Sequence, residues 1–278
     1  MVRPVAILSI AALACSAGCN LIFGMDEGKP LPDEGGGGAS CEGGSSEGGS
    51  GILLLWSCLD DVPQVDAACG DDLSFQFQFS GEELATADVD VKVCNRADTP
   101  CDAPSATIAP NPNTGDLFRD VPPNFTGYFD IDSDSYRAAL LELGPLTGLP
   151  RPKRYVPLLT EADIEQALTD LQTEELTDRG HIVLLATDCD GNAAPGISIQ
   201  ADNHADSSST YFYLGSLIGL TVDPNASATN YTGGAGIVNL EPGQTTVRTI
   251  RNGETVGKAT VLVRPGELTY IHLGPTPQ

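Results

Sequence analysis

The side chains of this 278-residue chain whose types could do chemistry are its cysteines, three histidines and a few closely spaced aspartates. Beyond Cys15 and Cys19 near the start, the cysteines are Cys41, Cys58, Cys69, Cys94, Cys101 and Cys189. A zinc site would want CxxC spacings or nearby histidines, and neither occurs, so disulfides are the expected use. Cys94 and Cys101 form the best-placed pair, because Asp98 and Pro100 between them favour a turn that returns the chain on itself. His181, His204 and His272 are scattered at strand-like ends and read as surface or core residues. Asp130-Ile131-Asp132-Ser133-Asp134 imitates the start of a calcium loop, but Ser135 stands where glycine is required and Leu141 where the bidentate Glu belongs. Asp188 and Asp190 fail similarly, since Gly191 comes too early. Gly215-Ser216-Leu217-Ile218-Gly219 is no nucleophile elbow, its serine being second rather than third. No catalytic residue, metal or cofactor is expected. Tyr211-Phe212-Tyr213 could offer an aromatic platform to a sugar, although alternation reads as Phe212 inward and both tyrosines at the surface.

The elements that must position these residues are mostly strands. Ser74 to Ser80 alternates strictly, with Phe75, Phe77 and Phe79 on one face and glutamines on the other. Asp88 to Val93 repeats the pattern with valines inward, and Gly127 to Ile131 forms another strand. The period then changes: Thr160 caps a helix over Glu161–Leu171, with Asp163 completing a capping box and Ile164, Ala167, Leu168 and Leu171 on one face. His181 to Thr187 is a buried-type strand that enters the turn Asp188–Asn192, and Gly196 to Gln200 leaves it, giving a hairpin-like opening. Thr245 to Arg251 and Thr255 to Val263 flank the turn pair Asn252-Gly253, and Pro265-Gly266 precedes a last strand over Leu268 to Leu273.

Composition agrees with a mainly β body. Hydrophobic residues make up 41% of the chain, and 31 Gly with 20 Pro favour short strands joined by turns. The net charge of −24, from 38 acidic against 14 basic residues, opposes nucleic acid and anionic lipid as partners of the folded surface. Its acids are scattered, which suits solubility.

The first fifty residues read as an address. Arg3 precedes the apolar run Val5 to Ala14, too short to span a bilayer, and Ser16-Ala17-Gly18 suit cleavage before Cys19. This resembles the signal of bacterial lipoproteins, with Cys19 as the lipidated residue. Cys15, behind Ala12-Leu13-Ala14, is the alternative, and ordinary cleavage would release a free secreted protein. Asn20 after Cys19 resembles an outer-membrane rather than an inner-membrane sorting signal. The Gly- and Ser-rich stretch to Gly51 has little to bury and reads as a disordered tether, about 30 residues with a reach on the order of 30 Å.

An internal echo joins the two halves of the body. Gly115 to Ile131 aligns without gaps on Gly234 to Ile250, placing Val121 on Leu240 and Tyr128 on Val247. At these residues, and through Val261 to Ile271, the chain resembles carboxypeptidase-regulatory-like, or transthyretin-like, modules. Trp56-Ser57-Cys58-Leu59 together with Asp188-Cys189-Asp190-Gly191 is similar to lipoproteins of soil-dwelling predatory bacteria that carry such modules in tandem. That likeness implies a Cys58–Cys189 bridge, with Cys58–Cys69 open as the alternative nearer in sequence.

The resemblance implies two Ig-like β-sandwich modules: a signal peptide over 1–18, a tether over 19–51, a first module over 52–155, a helical connector over 156–179 and a second module over 180–278. It also implies no catalysis, since the carboxypeptidases carry their zinc ligands on a separate domain beginning His-x-x-Glu, and no histidine here has Glu three residues on. The expected function is a non-catalytic envelope lipoprotein that binds a protein or glycan through loops such as Asn203–Ser209 and Asp223–Gly234. The alternative is a structural or adhesive spacer at the cell surface.

Overall fold

The computed structural model describes residues 56–65, 72–80, 88–151, 153–202, 205–217 and 220–277. The chain divides into Met1–Cys41, outside the described residues together with Cys19 and the expected tether, and Glu42–Gln278, described below.

Among the described residues seven strands precede the helix: β1 (Leu73–Ser80), β2 (Val89–Asn95), β3 (Ala106–Ile108), β4 (Asp116–Val121), β5 (Gly127–Ser133), β6 (Ala139–Glu142) and β7 (Arg154–Pro157). Helix α1 (Glu161–Asp170) follows, then β8 (Gly180–Ala186), β9 (Ser198–Asp202), β10 (Thr210–Tyr213), β11 (Gly234–Leu240), β12 (Gly243–Arg251), β13 (Glu254–Val263) and β14 (Leu268–Leu273). They form three sheets: β4-β1-β7, β13-β12-β9, and a central sheet ordered β10-β11-β8-β14-β6-β5-β2-β3.

The strand orders of the two halves coincide for six strands of each and differ at β3, which pairs with β2, and β10, which pairs with β11. In the first, β1 pairs antiparallel with β4 and parallel with β7, while β5 pairs antiparallel with β2 and β6. In the second, β8 pairs antiparallel with β11 and parallel with β14, while β12 pairs antiparallel with β9 and β13. Each half thus pairs six of its strands in the same way, and parallel pairing of β6 with β14 fuses one sheet of each into the central one.

The two small sheets cover opposite faces of that central sheet. Phe75, Phe77 and Phe79 share a core with Phe129, Ile131, Ala139, Leu141, Leu268, Tyr270 and Val183. The other face carries Ile182, Leu184, Ile237 and Ile271 against Val247, Ala259 and Val261. Helix α1 starts at a capping box, Thr160 accepting from the Asp163 amide while Asp163 accepts from that of Thr160. It buries Ile164, Ala167 and Leu168 in the first core, so it covers a sheet face and is more than a connector between modules. Strand β7 runs to Pro157, so the segment expected to open the connector at 156 still belongs to the first small sheet.

Two local expectations are corrected. Strands β8 and β9 form no hairpin: β8 lies in the central sheet and β9 pairs with β12, with only a bridge from Thr187 to Ala193 near the turn. The turn therefore carries the chain from one sheet to the other. The gapless echo is also out of step. The amide of Phe79 donates to Gly115 and that of Ala186 to Gly233, and both glycines take positive φ, 70° and 68°, so Gly115 corresponds to Gly233 rather than Gly234. A bulge in β11 at Asn239, φ 60°, supplies the extra residue that restores Val121 opposite Leu240 as inward positions. Past that point Tyr128 faces away from its sandwich interior whereas Val247 faces into its own, the flip of a one-residue slip.

Candidate functional site

Where the two halves meet, the chain concentrates its buried charge. Glu142 on β6 is fully buried, and its carboxylate accepts from Arg96 at 2.5 Å and from the amide of Leu262 on β13 at 2.9 Å. Arg96 also donates to the carbonyl of Thr260 at 3.1 Å. Burial pushes the Glu142 carboxyl above its usual range, although Arg96 and the Leu262 amide pull it back. One strand away, Arg264 lies over the Tyr128 ring and pairs with Asp130 at 2.9 Å and Glu267 at 3.3 Å. The Tyr128 hydroxyl donates to the carbonyl of Asp98 at 2.6 Å and accepts from Arg264 at 2.7 Å. These contacts tie the Cys94–Cys101 loop and β5–β6 of the first half to β13 and its following turn in the second.

Several edge groups of the second small sheet are held by other parts of the chain. On β13 the outward amides of Leu262 and Lys258 go to Glu142 and Thr276, and the outward carbonyls of Thr260 and Val256 receive Arg96 and the Thr276 amide. On β9 the amides of Ile199 and Ala201 donate to the hydroxyls of Tyr213 and Tyr211 at 3.4 and 3.2 Å. Those hydroxyls also correct the expectation for Tyr211-Phe212-Tyr213. Phe212 is buried, but Tyr213 is buried as well and Tyr211 leans on β9, so no flat aromatic platform forms.

The remaining chemistry-bearing residues are dispersed. Cys94 is bonded to Cys101, and Cys58 to Cys189 rather than Cys69. Among the described residues the one group with metal-type ligands is Cys94, Cys101 and Asp130, where both sulfurs are committed to a disulfide and Asp130 holds Arg264. Asp130 and Asp132 lie on a strand, not a loop, with Asp132 beside Lys92 at 3.6 Å. Asp188 accepts from the amides of Asp190 and Asn192, each at 2.9 Å, and so closes its own turn. His181 is buried; its Nε2 meets Glu175 at 3.1 Å and its Nδ1 accepts from the Asn239 amide at 3.3 Å. Burial, with Arg137 nearby, holds it down to about 4, so the ring is neutral and Nε2 donates. His272 donates to the Tyr155 carbonyl, burial and Arg154 holding it down to about 3. His204 and Asn203 lie outside the described residues. Of the expected binding loops, 205–209 is spent on Asp206–Ser208 and Ser209–Asn239 bonds. In the other, Thr229 bridges Ala194 and Ile197, while Asp223, Pro224, Asn225, Ser227 and Tyr231 are exposed. No nucleophile, base and oxyanion donors converge among these groups.

Sequence reading missed β6, a short run buried on both faces, and with it Glu142, whose isolated carboxylate inside Ala139–Leu143 was the available signal.

No family model matches the chain, and no curated protein matches it. Among solved structures it is similar to the shaft pilin SpaA of Lactobacillus rhamnosus GG, at 10% identity and a TM-score of 0.22 over 74% of this chain and 99% of that one. A streptococcal ancillary pilin is similar at 12% identity and a TM-score of 0.23, over 74% of this chain and 69% of that one. The minor pilin GBS52 of Streptococcus agalactiae matches at 11% identity and a TM-score of 0.22, over 73% and 97%. Likenesses this weak carry no argument about fold or function. Among the described residues no helix is long and apolar enough to cross a membrane.

Proposed function

We propose that this chain is a non-catalytic, exported body that serves as a rigid structural spacer of the cell envelope, built from two fused carboxypeptidase-regulatory-like modules. The observation that carries the reading is the junction: a shared sheet through β6 and β14, the buried Arg96–Glu142–Leu262 link, and the Cys58–Cys189 bridge from the segment before β1 to the second half. Two modules joined in this way resist bending, which a flexible linker would not. Disulfides persist in oxidising compartments, which supports export. Cys19, outside the described residues, is the proposed lipid attachment point, and the glycine-rich stretch after it the proposed tether.

The test is capture from envelope extracts with the full chain as bait, compared with a bait denatured and reduced. A spacer retains no saturable partner through its folded body; a saturable partner that is lost on unfolding contradicts it. Cys19→Ala tests the anchor separately, the parent entering the detergent phase and the variant staying in the aqueous one.

One observation favours the second reading, a protein- or glycan-binding surface. The outer face of β4-β1-β7 exposes Phe118 at 69% and Tyr155 at 51%, flanking Gln76 and Gln78 of β1. If that face binds, Phe118→Ala with Tyr155→Ala abolishes capture while the fold is kept.

A further inference from the structure

A small pocket lies between the β6–β7 loop and β7 of the first half and the strand ends of the second. It measures about 50 Å³, and Phe75, Arg151, Arg154, Asp188, His272 and Pro275 are among the residues that line it. That is several times the space one water needs, and too little for a bulky side chain.

What sets the pocket apart is its cations. In a chain with 38 acidic residues, Lys92, Arg96, Arg137, Lys153, Arg179, Arg248 and Arg264 each hold a carboxylate. Arg119, Arg151, Arg154, Arg251 and Lys258 form no carboxylate pair among the described residues, and of these Arg151 and Arg154 line one pocket together. Arg154 projects to the inner side of β7, opposite Phe77, and gives one bond to the carbonyl of Leu143 at 3.1 Å. Arg151 gives one to the carbonyl of Thr147 at 2.6 Å. Each guanidinium has five N–H donors in a planar fork, so most of them are uncommitted among the described residues. Both pack against the same ring, Phe75, at 4.9 Å for Arg154 and 5.8 Å for Arg151 from its centroid, which brings two like charges near each other.

Holding two cations together in a partly desolvated wall is unfavourable unless an anion joins them. The surroundings agree: burial and the neighbouring Arg151 push Arg154 down to about 10. Asp188, the one carboxylate among the described lining residues, is engaged by the amides of its own turn. His272, neutral and turned to Tyr155, adds no charge.

We propose that Arg151 and Arg154, braced on Phe75, form a binding site for a single oxyanion head group, a carboxylate or a phosphate. Paired guanidinium forks match such groups bidentately, and the apolar walls from Phe75 and the prolines strengthen the charge attraction. The site joins elements of both halves, so its occupant also braces the junction.

The test is titration of the full chain with sodium acetate or sodium phosphate against sodium chloride at equal ionic strength and pH 7, read by calorimetric binding and by the thermal midpoint. Saturable binding of either probe, with a raised midpoint, supports the site; acetate alone assigns a carboxylate ligand and phosphate alone a phosphate. Arg154→Gln and the more peripheral Arg151→Gln each weaken binding at least tenfold, and Arg151→Gln keeps a cooperative transition in chloride. Parent protein that responds to neither probe beyond chloride overturns the proposal. So does affinity unchanged in a folded Arg151→Gln.

Discussion

Strands β1 and β8 occupy the same place in the two halves and have sequences of opposite character. Strand β1, LSFQFQFS, alternates because its small sheet has one face on the core and one in water. Strand β8, GHIVLLA, is buried along its whole length because its sheet lies at the centre, with a core on each face. The same contrast separates β4, DLFRDV, from β11, GAGIVNL. Position in the sandwich fixes how a strand pairs; position in the assembly fixes which of its faces must be apolar. Pairing of β6 with β14 makes one sheet of each half a part of the central sheet, which is buried on both faces along β6, β14, β8 and β11.

That contrast can be broken by charge. By hydrogen-bond register Gln76 of β1 corresponds to Val183 of β8. Val183→Lys puts an unpaired ammonium inside the first core and should cost more than about 4 kcal/mol, enough to lose the native state, whereas Gln76→Lys should stay within about 0.5 kcal/mol. Denaturant unfolding of both variants measures the difference.

Disulfides sharpen it next. The Cys58–Cys189 bridge closes a separation of 131 residues and Cys94–Cys101 one of 7. Chain-entropy reasoning gives about 5 kcal/mol for the first and about 2 for the second. Paired serine replacements should order the denaturant midpoints accordingly.

Glycine and phenylalanine exchange roles at a third pair. Gly236 corresponds to Phe118, which is exposed; a Cβ at Gly236 would lie 2.2 Å from the Phe212 ring and 2.4 Å from the carbonyl of Ile182. Gly236→Ala should cost about 1–3 kcal/mol by overpacking. Phe118→Ala should cost less than about 1 kcal/mol.

The smallest effect is a pH slope. His181, neutral when folded, titrates near 4 there and near 6.5 when unfolded, so the unfolded state binds the extra proton between those values. Stability therefore falls as pH drops from 6.5 toward 4. Unfolding free energies of the parent and His181→Gln, measured across that window, should converge or cross toward acid as the parent loses its advantage.

Much of this was legible in sequence. Strict alternation marked β1 and β2, Asn252-Gly253 marked the β12–β13 turn with positive φ at both residues, and Thr160 with Asp163 marked the helix start. Those signals are local, set by side-chain period, backbone φ or a cap. Pairing across sheets was not legible. The run Ala139–Glu142 has no alternation because both faces are buried, and a turn such as Asp188–Asn192 reads the same whether it joins paired strands or crosses between sheets. The echo found the repeat but not the Asn239 bulge, since one inserted residue leaves composition unchanged while exchanging faces. Arg151 and Arg154 gave no sequence signal: what distinguishes them is one shared ring and one shared pocket, which only the fold brings together.

Calorimetric unfolding of the full chain tests the fused junction most directly. A single transition over the body, with calorimetric and van't Hoff enthalpies in agreement, is the expected result. Two separated transitions, with the second half melting independently of Glu142→Gln, would contradict it.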